Sequence, residues 1–213
     1  MTAIANDEDR KIDPAARPVK FAHIVIHTGR YAQMQHFYKT LLLASSAYCD
    51  DIADFIRYDD EHHRVVLVNR AGFVDAPEGV NRTHHIAFTY QTLGELLGTF
   101  QRMAEKDIQP VWCINHGITT SIYYSDPDGT LVETQYDNLD NDACDLFMQS
   151  DYFKVNTLGV DFDPHLLRRR YERGDPIEEL IKQGSAPLPD DVEPPRPPEM
   201  GDYDYRGKLM PKI

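Results

Sequence analysis

Apolar positions along this chain recur with two different periods, and the switches between them outline its elements. Residues 21–27 (FAHIVIH) are rich in β-forming types and bracketed by polar ones, which predicts a strand. Met34, Phe37, Tyr38, Leu41 and Leu42 follow at i, i+3, i+4, i+7 and i+8, the spacing of an amphipathic helix lying on a sheet. Residues 53–58 and 64–68 predict two further strands around a polar turn. The same order then returns. Residues 84–90 (HHIAFTY) predict a strand, and Leu93, Leu96, Leu97 and Phe100 repeat the helical spacing behind a Thr92–Glu95 capping box. Residues 119–124 and 131–136 predict strands around the turn SDPDG. His23 and His85 stand 62 residues apart, at matching points of the two opening strands. The expected fold class is therefore α+β: two paired βαβββ modules forming a cupped mixed sheet, at about 20–70 and 83–138.

The flanks have a different character. Residues 1–19 are polar, carry Pro14 and Pro18, and predict a flexible N-terminal arm. Residues 139–213 are expected to form a C-terminal extension of short helices followed by a Pro-rich tail. Residues 163–173 (DPHLLRRRYER) predict a helix with Asp163 as N-cap, Pro164 at its first position and Gly174 as its stop. Residues 176–183 predict a second, shorter helix. Residues 187–213 hold seven of the fourteen prolines and read as extended or disordered chain, dispensable for folding of the modules, with a cut at Gly184 expected to cost little.

Composition narrows the function classes. With 22 basic against 35 acidic residues the net charge is -13, which repels phosphate backbones and anionic lipid and argues against nucleic-acid or membrane binding. No apolar run approaches the roughly 20 residues of a bilayer span, and the N-terminus lacks a signal-type hydrophobic stretch. Cys49, Cys113 and Cys144 are odd in number and far apart, which argues for a reducing compartment and against disulfides or a thiolate metal site. A cytoplasmic protein is the expectation.

The histidines add the chemistry. Eight of the nine lie between residues 23 and 116. The repeat-related pair His23 and His85 is joined by Glu133, a carboxylate between apolar residues on the last strand. Such a group is costly in a packed strand unless it is paired or metal-bound. Two imidazoles and one carboxylate on rigid strands match the facial triad of non-haem Fe(II) oxygenases, with Fe(II) favoured over Mn(II) and open positions left for substrate and O2. Aligning residues 59–67 on 125–133 puts Leu67 where Glu133 stands, so three ligands are expected and not four.

The segments FAHIVI, THHIAF and INHGITTSIYYSDPDGTLVE (114–133) together resemble the type I extradiol ring-cleavage dioxygenases of the vicinal oxygen chelate superfamily. The last segment fills every fixed position of that family's signature: a small or apolar residue, His, apolar-Tyr, Asp-Pro, Gly and Glu at the family spacing. The resemblance covers about residues 20–138, the catalytic module pair. It implies iron ligands His23, His85 (runner-up His84) and Glu133. It implies His116 as a histidine bonding substrate or oxygen, Tyr123 near the substrate hydroxyls, and His63 (rival His62) as the acid–base residue. An insertion is expected in the loop Asn69–Thr83. The implied activity is Fe(II)-dependent cleavage of a catecholic ring beside its vicinal hydroxyls with O2, in a homo-oligomer. The alternatives are a glyoxalase- or epimerase-type isomerase or lyase of the same superfamily, or a metal-free binding or resistance protein on the same fold. Cys113 reads as an ordinary core cysteine.

Overall fold

The computed structural model describes residues 12, 14–77 and 83–192. The first module runs β1 (Ile24–Thr28), α1 (Tyr31–Leu42), β2 (Ser45–Cys49), β3 (Ala53–Arg57) and β4 (Val65–Asn69). The second repeats it as β5 (His85–Tyr90), α2 (Leu93–Ala104), β6 (Trp112–Asn115), β7 (Thr119–Ser125) and β8 (Leu131–Asp137). After each helix there are three strands. The sequence pattern locates only two of them. β2 is a mostly exposed edge strand, and β6 is four residues buried on both faces, so neither alternates.

The strands form two mixed sheets, ordered β1-β4-β3-β2 and β5-β8-β7-β6-β9, where β9 (Val160–Asp161) comes from the C-terminal extension. In each module the first strand lies parallel to the last, and the remaining pairs are antiparallel. Parity then divides the side chains between two faces. Ile24, Ile26, Val65, Leu67, Phe88, Tyr90, Ile122, Tyr124 and Val132 join the core beneath α1 and α2. Trp112, Ile114, Tyr123 and Leu131 pack as a second cluster on the opposite face.

Helix boundaries follow their caps. The Thr92 hydroxyl accepts from the Glu95 N–H at 3.1 Å while the Glu95 carboxylate accepts from the Thr92 N–H at 2.9 Å, the reciprocal capping box. Asp163 caps α5 (Pro164–Glu172), with Pro164 in the first turn and Gly174 at φ 88° beyond the end. The extension also carries α3 (Asn141–Gln149), α4 (Asp151–Val155) and α6 (Ile177–Leu180). It is not a separate body. β9 pairs with β6, and Phe162, Leu167, Leu180 and Ala186 are buried in the main core. The Asp163 N–H donates to the Ala186 carbonyl at 2.9 Å. A cut at Gly184 therefore removes Ala186 from the core. The rest of the tail, from residue 193, lies outside the described residues.

The Asp-Pro-Asp-Gly turn joins the modules. Asp126 is buried, and its carboxylate accepts from the backbone N–H groups of Asp128 (3.0 Å) and Thr130 (2.8 Å) and from the Tyr38 hydroxyl of α1 (3.1 Å). Burial pushes its pKa above the usual carboxylate range, partly offset by those donors. We expect Asp126→Ala to lose about 2–4 kcal/mol, because three donors lose a buried acceptor at once. Asp126→Asn, which keeps one acceptor oxygen, should lose less. Urea unfolding would measure both, and equal losses would sink this account. Among the described residues, no helix is long and apolar enough to cross a membrane.

Candidate active site

On the face away from the helices, one register row crosses the second sheet: Ala87 of β5, Glu133 of β8, Tyr123 of β7 and Trp112 of β6. Alternation puts His85, two residues before Ala87, on the same face. Glu133 is 4% exposed, and its carboxylate lies 3.2 Å from His85 Nε2. Burial alone would raise the Glu133 pKa, but hydrogen bonds from His85, Ser121 and Tyr123 outweigh it and hold the group below its ordinary value. The same bond raises the His85 pKa against the opposing effect of burial. Burial, then the Glu133 charge, pushes the Tyr123 hydroxyl well above the ordinary range and keeps it protonated as a donor. Its ring stacks on Trp112 with centroids 4.8 Å apart, and its oxygen lies 3.1 Å from His116 Nε2.

The first sheet contributes a separate group. His23, just ahead of β1, packs its ring against His63 with centroids 4.5 Å apart, and Phe55 of β3 meets His63 edge-on at 5.2 Å. Burial, with the charges of His62 and His23, lowers the His63 pKa below that of ordinary imidazole. His62 turns outward, with its side chain 69% exposed beside Glu61. His84 lies against His85, with Nδ1 atoms 2.7 Å apart.

The expected site residues therefore arrive in two sets: His85, Glu133, Tyr123 and His116 on one sheet, His23 and His63 on the other. Among the described residues, no group of three His, Cys, Asp or Glu is assembled in a metal-holding arrangement. Of the three expected ligands, His85 and Glu133 stand together. A buried carboxylate and an imidazole nitrogen on one face form a donor set that suits Fe(II) or Mn(II) rather than a soft cation.

One position needs correction. Glu133 pairs with Ala87, and the matching residue Val25 pairs with Val66, so Val66 and not Leu67 is the counterpart of Glu133. Leu67 points into the core under α1. A register step of one exchanges the two faces. Both residues are apolar, so the first module still supplies no carboxylate there.

Sequence reasoning missed Ser121, Trp112 and Phe55. Ser121 could have been found by stepping two residues back from Tyr123 along one face of β7. Trp112 and Phe55 reach the site only through cross-strand pairing, which no local pattern displays. The cysteines are all free, and the buried Cys113 thiol is pushed far up by desolvation, as an inert core group.

This chain belongs to the Glyoxalase/Bleomycin resistance protein/Dioxygenase superfamily, which matches residues 20–134. Within it, the chain is similar to biphenyl-2,3-diol 1,2-dioxygenase 2 of Rhodococcus globerulus, at 39% identity over 169 residues, 78% of this chain and 89% of that protein. It is also similar to biphenyl-2,3-diol 1,2-dioxygenase 3 of the same organism, at 36% identity over 172 residues, 78% of this chain and 90% of the other. Among solved structures, a glyoxalase/dioxygenase from Nostoc punctiforme aligns over 60% of this chain and 99% of its own, with 16% identity and a TM-score of 0.48. A lactoylglutathione lyase from Agrobacterium tumefaciens aligns over 57% of this chain and 96% of its own, with 15% identity and a TM-score of 0.45.

Proposed function

We propose that this protein cleaves a catecholic ring next to its vicinal hydroxyls, using O2 and a divalent iron held by His85, Glu133 and His23. The chain is an extradiol-type ring-cleavage dioxygenase, an oxidoreductase that incorporates both oxygen atoms into its product. The observation that carries this reading is the buried Glu133 carboxylate bonded to His85 on a face that also presents Tyr123 and His116. It stands in a chain 39% identical to an enzyme named for biphenyl-2,3-diol. Biphenyl-2,3-diol is therefore the first substrate to test.

When bound by His85, Glu133 and His23, Fe(II) would supply a positive charge that lowers the phenol pKa and would bring catechol and O2 together for electron transfer. The chain's own groups do the rest. Glu133 is the only anion on that row and sets the charge of the site. Tyr123 keeps its proton and donates toward a substrate oxygen, while the Trp112 ring fixes its plane. His116 stands beside it and accepts a hydrogen bond through Nε2, from Tyr123 or from a substrate hydroxyl. His63, with Phe55 and His23 walling its ring, takes a catechol proton and returns it to an oxygen of the ring-opened product.

The test is metal analysis of anaerobically purified protein, followed by oxygen uptake with a panel of catechols. Iron near one equivalent, oxygen consumption and a yellow ring-opened product support the reading. Bound metal without oxygen uptake on any catechol would move the chain to the isomerases and lyases of its superfamily, and metal-free protein would move it to a binding module.

The acid–base assignment has its own expected outcome. His63→Phe should retain iron and bind catechol anaerobically while turnover falls about 10²–10⁴-fold. His62→Phe should change the rate far less, since that ring faces solvent. Stopped-flow turnover decides, and an exchange of the two phenotypes would transfer the role to His62.

A further inference from the structure

His116 lies in the turn between β6 and β7, and each of its ring nitrogens has one partner. Nδ1 meets the backbone carbonyl of Leu158, and Nε2 lies 3.1 Å from the Tyr123 hydroxyl. A carbonyl can only accept, so in the neutral ring the proton resides on Nδ1 and Nε2 is left as an acceptor.

Leu158 belongs to the C-terminal extension, 42 residues away in sequence, and the turn that carries it is built for close approach. The Asn156 side chain brackets the turn, its oxygen accepting from the Gly159 N–H at 2.9 Å and its amide donating to the Gly159 carbonyl at 2.8 Å. Gly159 adopts φ +119°, and a Cβ there would stand 2.3 Å from the Asn115 carbonyl oxygen and 2.8 Å from His116 Cα. Only glycine allows the two backbones to lie this near. Just beyond, Val160 and Asp161 pair with Asn115 and Ile114, and Trp112 Nε1 donates to the Asp161 carboxylate at 2.7 Å. The turn is thus clamped to the strand that leads into His116.

We propose that the 156–159 turn sets the tautomer of His116, the Leu158 carbonyl holding the proton on Nδ1 so that Nε2 faces Tyr123 and the substrate side as a proton acceptor. Asn156 and Gly159 are positioning residues for this role. The catalytic consequence rests on the dioxygenase reading, whereas the tautomer itself does not. With Nε2 as acceptor, His116, the Glu133 carboxylate and a bound substrate oxygen compete for the single Tyr123 proton. A ring flipped or re-protonated at Nε2 would instead compete as a second donor.

The test uses the full-length chain labelled with ¹⁵N-histidine, metal-free, at a pH where the ring is neutral. Two-bond proton–nitrogen correlation spectra report which nitrogen carries the proton, and His116→Asn assigns the signals. The wild type should show the Nδ1–H pattern. An Nε2–H pattern overturns the proposal. Asn156→Ala and Gly159→Ala should shift His116 toward the Nε2–H form and lower kcat by about 10- to 100-fold, with KM changing much less, as loss of an orienting partner does. Asn156→Asp retains the acceptor for the Gly159 N–H and should largely keep both the Nδ1–H pattern and the rate. Should Gly159→Ala fail to fold, the Asn156 pair still decides. An unchanged pattern with unchanged kcat in Asn156→Ala overturns control by the turn. An Nδ1–H pattern that responds to these substitutions in a protein inactive on every catechol upholds this inference and refutes only the dioxygenase reading.

Discussion

Glu133→Ala should abolish iron retention and turnover together while the metal-free fold survives. Glu133 is the one carboxylate on the row that also carries Tyr123 and Trp112, and it bonds His85 at 3.2 Å. Removing even a hydrogen-bond partner of a metal ligand typically costs about 10–100-fold in metal affinity, so losing the sole anionic ligand should cost more than that. The fold should survive because Glu133 is no part of the core beneath α1 and α2, so the loss is limited to the acceptor that His85, Ser121 and Tyr123 share. The metal-free variant should melt within about 5 °C of the metal-free wild type. Iron analysis after gel filtration, oxygen uptake and a thermal scan are the measurements. Full iron occupancy with full activity would show that Glu133 is not a ligand.

Ending the chain after Asn138 should destabilise the fold severely. That cut removes β9 and the buried Phe162, Leu167 and Leu180. At about 1.5–3 kcal/mol for each large apolar side chain, their loss comes to roughly 5–9 kcal/mol. A domain of this kind has about 5–15 kcal/mol in all. It also strips β6 of a strand partner and bares an apolar edge, so the shortened protein should aggregate or unfold without a cooperative transition. Ending the chain after Val192 keeps every contact named here and should shift the transition by only a few degrees (about 5 °C or less). A cooperative transition at the wild-type temperature for the 1–138 chain would overturn this view of the extension.

Much of this was readable in the residues. The helix α1 is spelled by Met34, Phe37, Tyr38, Leu41 and Leu42, all of them buried. The Thr92–Glu95 box and the Asp163–Pro164 start of α5 are local chemistry and appear at their expected positions. Glu133 drew attention because a carboxylate between apolar strand residues needs a partner, and it has His85. The helix and cap features depend on neighbours within about four residues, which is the range over which a sequence states its own geometry, whereas the His85 partner of Glu133 comes from a paired strand.

What depended on long-range pairing was hidden. β2 and β6 lack alternation because one lies at an edge and the other is buried on both faces. Val66 and Leu67 are equally apolar, and only the parallel pairing of β1 with β4 shows which of them faces the site. His62 and His63 are chemically identical neighbours, and the tertiary structure separates them by seating one against His23 and Phe55 and leaving the other in solvent. The contact of His116 with Leu158 joins the β6–β7 turn to an extension beyond the residues that the family pattern matches. The sequence by itself determined the two main helices, most of the strands and the repeat, and it singled out the candidate polar groups, because each is written in residue spacing and in the cost of burying a charge. The tertiary structure decided the partners and faces, because those follow from which strands lie side by side, and a one-residue change of register reverses them.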